Sequence, residues 1–443
     1  MGFVRPAAVA GSFYPADPTI LAAELRAMLD AAPAGGPVPK ALIAPHAGYI
    51  YSGPIAAAAY ARLAPARDEI TKVVLIGPAH RVGFQGIATS SAEGFATPLG
   101  VVPLDREGAA KLRGIQGVCD LDQAHQLEHS LEVHLPFLQT LLDKFTLLPL
   151  VAGGAPDMLV AQVLNAVWGG PETLIVVSSD LSHYEDYDSA QSHDRATAEA
   201  IGRFDATAFD HHGACGRTPL GGLLLLGKQR GMRIEPLDLR NSGDTAGPRD
   251  RVVGYGSWAL YEPSLPDILL DLARRSIAQH FEMAPGPLTV ASLPEIHAMG
   301  ASFVTLKKDG QLRGCIGSAQ AWRPLGEDVA DNARRAAFND PRFPPLSAEE
   351  LPSVRLSLSL LTAPEPLTVT SRDDLLRQLR PHIDGLILED GAHRSLFLPA
   401  VWEQLPTAED FVAHLLHKGG LPPSHWSPSM KAWRFTAEEH QEG

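Results

Sequence analysis

The chain has 443 residues, 45% of them apolar, and a mean hydropathy of −0.02, which is ordinary globular composition and long enough for two or three domains. With 37 Lys and Arg against 51 Asp and Glu the formal charge is −14, so neither nucleic acid nor an anionic membrane surface is expected as a partner. Cys119, Cys215 and Cys315 are too few and too scattered for a disulfide framework, and a cytoplasmic location is expected.

In chain order, the N-terminal stretch is broken by Pro6 and Pro15 and lacks the apolar core of a signal peptide. Nowhere do about 18 apolar residues run uninterrupted, so no membrane span is expected. From residue 18 to 262, apolar runs of strand length alternate with helical patterns. Strands are expected at 40–44, 72–76, 145–151, 173–177 and 252–261, and helices at 18–32, 53–64, 129–143, 158–168, 193–204 and 219–229. The Ala, Pro and Gly-rich segment 31–38 reads as a loop. This alternation predicts an α/β domain over residues 1–262, a mostly parallel sheet covered by helices on both faces.

Pro263 and Pro266 then suit an extended connector at 263–267. Beyond it, helices at 268–283, 324–338, 372–380 and 407–417 and strands at 302–307, 312–317, 354–362, 385–389 and 394–398 come in clusters. That pattern predicts a smaller α+β domain at 268–443.

Three strand candidates of the first domain run into a histidine just past their carboxyl ends: His46 in ALIAPHAG, His80 in VVLIGPAH and His183 in LIVVSSDLSH. That edge of an open α/β sheet is where ligands bind. Imidazoles from neighbouring strands can meet on one ion, because strands lie about 4.8 Å apart and metal–nitrogen bonds are about 2.1 Å long. His183 follows Asp180 and Ser182, which leaves it a metal ligand, an acid/base group or the cap of a turn. A second polar cluster, His125, Glu128, His129, Glu132 and His134, opens a helical pattern whose Leu131, Leu135 and Leu138 form an apolar stripe. Some of these polar groups must therefore face a pocket or one another. A third, anionic ligand is offered by Asp244, flanked by Gly243 and Gly247 in the loop before the last strand, with Asp250 as a weaker rival. Two imidazoles and one carboxylate on one face leave open positions, as in non-heme Fe(II) oxygenases, although imidazole suits Zn and Cu as well.

On AGSFYP (10–15), PHAGYIYSG (45–53), GPAH (77–80), EHSLEVHLPFLQ (128–139), SSDLSHY (178–184) and ACGRTPLGGLL (214–224), the first domain resembles the Memo family. The resemblance covers residues 5–262 and implies the fold of the class III extradiol ring-cleavage dioxygenases. It implies His46 and His80 as iron ligands, His183 as the acid/base histidine and His129 as a second pocket histidine, with Tyr49, His134, Asp180 and Cys215 as further pocket candidates. Vertebrate Memo proteins look to carry a cysteine in the loop before the last strand. This loop has none, so a carboxylate from Asp244 is expected rather than a thiolate, with Cys215 in structural packing.

Residues 267–440 resemble the AMMECR-type domain on GQLRGCIGS (310–318), ARRAAFNDPRFPPLSAEEL (333–351), VRLSLSLL (354–361) and SLFLPAVWEQ (395–404). There, Arg313 beside Cys315 would place a guanidinium next to a thiol, while a small buried strand residue is the plainer reading of the cysteine. Together the two resemblances imply the AmmeMemoRadiSam system, with a radical S-adenosylmethionine protein as a separate partner, since a CxxxCxxC cluster motif is absent from this sequence. The function expected is a non-heme iron oxygenase acting on a small phenolic or catechol-like substrate. A binding or scaffold protein for the radical enzyme and a zinc-dependent hydrolase are the alternatives.

Overall fold

A computed structural model describes residues 3–33, 35–283 and 294–442. Contacts divide the chain into two units, Met1–Glu262 and Pro263–Gly443. Beside a small three-stranded sheet of Val4–Arg5, Gly94–Thr97 and Gly100–Pro103, the main sheet of the first has, among the described residues, nine strands: β1 (Ala41–Ala44), β2 (Lys72–Pro78), β3 (Ile87–Thr89), β4 (Val118–Asp120), β5 (Thr146–Ala152), β6 (Thr173–Ser178), β7 (His183–Glu185), β8 (Arg233–Asn241) and β9 (Val252–Tyr261). Their order is β7-β9-β1-β6-β2-β5-β3-β4, with β8 also paired to β9. The central four, β1, β6, β2 and β5, run parallel, so their carboxyl ends share one edge.

Six main helices accompany them: α1 (Pro18–Ala31), α2 (Tyr49–Tyr60), α3 (Leu135–Leu141), α4 (Asp157–Ala166), α5 (Tyr187–Gly202) and α6 (Arg217–Gln229). Successive strand side chains point to opposite faces, and the central strands divide accordingly. Leu42, Val73, Leu75, Leu147, Leu174 and Val176 join a cluster with Leu21, Leu25, Ala56 and Leu138. Ile43, Val74, Ile76, Leu148, Leu150, Ile175 and Val177 join another with Val160, Leu164, Ile201, Leu220 and Leu223. Each such residue removed from water contributes about 1.5–3 kcal/mol, which makes the register of these strands expensive to slip.

The sheet is mixed rather than mostly parallel. β9 is antiparallel to β1, and β3 is antiparallel to β5. β9 instead returns from β8 through a short loop and needs no crossover helix. β8, with Pro236 and alternating charges, has no apolar pattern, and its register shifts between Pro236 and Asp238. Expected helix 129–143 shortens to a 3-10 turn at Glu132–His134 followed by α3, because residues 128–131 are held in a polar knot described below.

The second unit has two antiparallel sheets. One joins β11 (Gln311–Gly317), β10 (Met299–Lys308), β12 (Val354–Leu361) and β16 (Ala437–Gln441), with Arg323–Pro324 on β10. Its cluster contains Leu269, Ala273 and Ile277 of α7 (Leu265–His280) and Val329, Ala333 and Ala336 of α8 (Leu325–Phe338). The other joins Glu365–Leu367, β15 (Lys431–Phe435), β13 (Gly385–Asp390) and β14 (His393–Phe397). Its core is a Trp402 ring stacked 3.9 Å from Phe411 of α10 (Ala408–Lys418), with α9 (Arg372–Gln378) contributing Leu375. The closing strands β15 and β16, KAWRF and AEEHQ, are too polar to be read as strands from pattern alone. No described helix is long and apolar enough to cross a membrane.

Candidate metal centre

β1 ends at Ala44 and β2 at Pro78, so His46 and His80 stand two residues beyond the carboxyl ends of the strands on either side of β6, and their ring centroids are 5.0 Å apart. A third candidate donor comes from a distant part of the chain. Cys215 precedes α6, and its Sγ lies 3.3 Å from His46 Nε2. One ligand atom from each of His46, His80 and Cys215 can be chosen so that all lie within 4.8 Å of one another. Gly216 makes the approach feasible, since a Cβ there would meet Ser179 Cβ at 2.5 Å and the Ser178 carbonyl at 2.6 Å. The Gly216 N–H also donates to Ser179 Oγ at 3.0 Å.

Hydrogen bonds set which nitrogen of each imidazole is free. Ser178 Oγ donates its only proton to the Ser130 carbonyl at 2.6 Å, so it must accept from His46 Nδ1–H, also at 2.6 Å. The lone pair of His46 is thereby left on Nε2, the atom facing Cys215. His80 Nδ1–H donates to Glu128 Oε1 at 2.9 Å, and the His80 backbone N–H donates to Oε2 at 2.6 Å, which frees His80 Nε2. Partners of this kind fix the tautomer and ring orientation of metal-bound histidines.

Electrostatics agree with a site made for a cation. Burial, followed by the neighbouring histidines, pushes His46 well below the usual histidine range, so it is neutral and has a lone pair to give. Burial would raise the Glu128 carboxyl, but hydrogen bonds from His80 and from the Ser130 and His80 amides outweigh it and hold the group at about 2. Burial pushes the Cys215 thiol up, with the Asp180 charge adding to it, so the sulfur is protonated until a cation arrives. The donor set of two imidazoles and a sulfur fits a transition-metal ion.

A second grouping, His80, Glu128 and His129, also brings its ligand atoms together. Glu128 Oε1 already accepts from His80 Nδ1 and from the His129 and Ser130 amides, each at 3.0 Å or less. Glu128 is therefore an orienting group, engaged by its donors, and the grouping with Cys215 is the better candidate for an ion.

Of the other residues singled out in the sequence, His129 stacks on His80 at 4.6 Å and faces His46 edge-on at 5.5 Å, with Phe13 behind it at 4.9 Å. Burial lowers it to about 4. His183, in β7, is lowered by burial and by the His80 charge. Asp180 is buried; its Oδ1 accepts from the His46 amide at 2.7 Å, its own amide donates to Cys215 Sγ at 3.3 Å, and burial raises it to about 7. His134 lies in the core with Nδ1 2.9 Å from the Tyr60 hydroxyl. The Tyr49 hydroxyl donates to the Val133 carbonyl at 2.7 Å, so Tyr49 braces the 3-10 turn. Glu132 is likewise engaged elsewhere: it is buried against Arg5 at 2.6 Å and accepts from Tyr14 and the Ala8 and Val9 amides.

Two expectations are corrected. Asp244 is absent from both donor groups. Its Oδ1 accepts from the Tyr187 hydroxyl at 2.5 Å and its Oδ2 from the Asn241 amide at 3.0 Å, the reciprocal cap of the turn Ser242–Asp244. The third candidate donor is Cys215, a pocket candidate for which structural packing is the sequence expectation; its motif precedes a helix, and the fold brings this helix start against the end of β6. In the second unit, Arg313 does not sit on the thiol: it reaches Glu350 at 3.1 Å and the Pro344 carbonyl at 2.8 Å. Cys315 Sγ accepts from the Thr305 hydroxyl at 3.2 Å, and the guanidinium next to Cys315 is that of Arg342, 3.1 Å from its carbonyl.

A Memo-like protein family model matches residues 5–259, and an AMMECR1 model matches residues 270–440. Similar curated proteins include a MEMO1 family protein of Methanosarcina barkeri, 35% identical over 57% of this chain and 98% of its own length. Another, from Methanothermobacter thermautotrophicus, is 34% identical over the same shares. A further protein of that organism is 38% identical over 40% of this chain and 93% of its own. Among solved structures, an uncharacterized protein from Pyrococcus horikoshii is 34% identical, covering 40% of this chain and 91% of its own, with a TM-score of 0.37.

Proposed function

Since this chain belongs to the Memo family and carries an AMMECR1 domain behind its Memo domain, we propose that it is a metal-dependent oxygenase of phenolic or catechol-like molecules, its ion, Fe(II), held by His46, His80 and Cys215. The observation that carries this reading is the convergence of those three donors within 4.8 Å, each imidazole having its other nitrogen already engaged. Bound there, iron would supply one-electron chemistry toward O₂ and Lewis acidity toward a phenolic oxygen.

The chain's own residues have separate tasks. Burial keeps His183 neutral, the form that takes a proton from a substrate hydroxyl. His129 stacks on the His80 ring, with Phe13 packed behind it. Ser178 and Glu128 hold the two imidazoles in register. A sulfur in third place is softer than the carboxylate of the ring-cleaving enzymes and widens the range of ions accepted, Zn and Cu included. The AMMECR1 domain is assigned in this proposal to joint work with a radical S-adenosylmethionine protein.

Fe(II)-loaded protein, prepared anaerobically, is to be tested on an oxygen electrode against a panel of catechols. Oxygen uptake is expected with at least one diol, and His183→Gln is expected to keep the iron while losing uptake. Full iron occupancy with no uptake from any diol overturns the oxygenase reading.

A further inference from the structure

The rim beside His183 has a charge pattern that the metal chemistry does not use. β7 pairs with β9 through an irregular register between His183 and Glu185, and Tyr184, the residue between them, is held at a φ of 63°. A left-handed aromatic residue costs conformational energy and survives where its surroundings over-determine it. The residue is 64% exposed; its ring lies 5.9 Å from the His183 ring and has the Arg251 guanidinium 4.4 Å from its centroid.

Arg251 is exposed and makes no ion pair among the described residues. Asp250, next to it in the chain, is exposed, and three other carboxylates of this region have partners of their own. Glu185 is 3.0 Å from His193, Asp186 caps α5 through the Ser189 amide at 3.1 Å, and Asp244 holds the Tyr187 hydroxyl. Arg249 stacks on Tyr187 at 4.3 Å, and its carbonyl accepts from the Tyr187 amide at 3.1 Å, so the loop is fastened just before Arg251. Arg249, Asp250 and Arg251 together have one net positive charge, in a chain whose total is −14. On the other flank, exposed Arg81 follows His80 directly and its charge is felt by His129.

We propose that Arg251, stacked on Tyr184, is the anchor for the anionic group of the substrate, an aromatic acid whose opposite end reaches the metal centre, with Arg81 adding positive charge on the far flank. A planar guanidinium pairs with a carboxylate through two parallel N–H donors, and the exposed Tyr184 ring offers a face to an aromatic body. This inference rests on the oxygenase reading for the identity of the reacting end, but the anchor itself needs no metal.

The test is calorimetric titration of the full-length protein with two pairs of ligands in which a carboxylate on the ring is replaced by a neutral group: benzoate against benzyl alcohol, and 3,4-dihydroxybenzoate against 4-methylcatechol. Wild type is expected to prefer the acid of each pair by about tenfold, the scale of one charge-assisted contact. Arg251→Met is expected to erase that preference while leaving the neutral ligands unchanged, and Arg251→Lys to restore part of it. No preference in wild type, or a preference that survives Arg251→Met, overturns the proposal. An Arg251-dependent preference for benzoate, in protein whose iron is blind to either diol, removes the oxygenase reading and keeps the anchor.

Discussion

Cys215 Sγ sits 3.3 Å from Nε2 of His46 across a sequence separation of 169 residues, the one nitrogen of that ring that Ser178 does not occupy. The contact marks where an ion would enter: a thiol donating to a lone pair when the site is empty of charge, and two ligands on one cation after the proton has left. Donor–donor spacings on a tetrahedral ion with bonds of about 2.1 and 2.3 Å lie near that separation.

Loss of either partner is expected to remove the ion. His46→Ala and Cys215→Ser should fall to trace metal after anaerobic purification, measured by elemental analysis, and lose the nitric-oxide EPR signal of Fe(II). Proton release on Fe(II) addition, followed with an indicator dye, should drop in Cys215→Ser because the buried thiol is the group that ionises. Full metal in Cys215→Ser would return the search for a third ligand to the carboxylates.

Glu128 acts through His80 rather than on the ion. Glu128→Gln keeps the shape but removes the charge that fixes Nδ1–H, so metal affinity is expected to fall about 10–100-fold. Competition with a chelator of known affinity checks this, and Ser178→Ala, which frees His46 Nδ1, should shift affinity in the same direction.

His125 makes stability depend on pH. Burial lowers it to about 4, while the unfolded imidazole titrates near 6.5. Between those values the unfolded chain binds a proton that the native state does not, so stability falls as pH falls through this window, by about 1.4 kcal/mol per pH unit. His125→Gln is expected to flatten the slope by that amount. Hydrogen exchange of the β2 and β5 amides at pH 7, 6 and 5, with chelator present, reads it out.

Arg5 and Glu132 fasten the N-terminal segment to the turn behind the metal centre. Both are buried, and the pair is 2.6 Å apart. Arg5→Met leaves a buried carboxylate without its cation and is expected to cost about 3–5 kcal/mol. The double variant Arg5→Met with Glu132→Gln should recover part of the loss; equal stability in the single variant and wild type would contradict the assignment.

Local pattern alone determined much of this protein: the apolar runs of the central strands, the helices between them, and two histidines, His46 and His80, just past strand ends, whereas the expected connector at 263–267 already enters the first turn of α7 and His183 opens β7. Those features depend on residues close together in the chain, where burial imposes a period of two or of 3.6. The choice between Asp244 and Cys215 was a different kind of question. Asp244 stands in a loop with the right chemistry, yet its two oxygens are consumed by its own turn and by Tyr187. Cys215 stands before a helix, and becomes a donor because β6 lies between β1 and β2 and Gly216 lets that helix start rest on the end of β6. Strand order and the contact of a glycine with a distant backbone are long-range facts set by how two apolar faces are covered at once, and only the folded chain decides them.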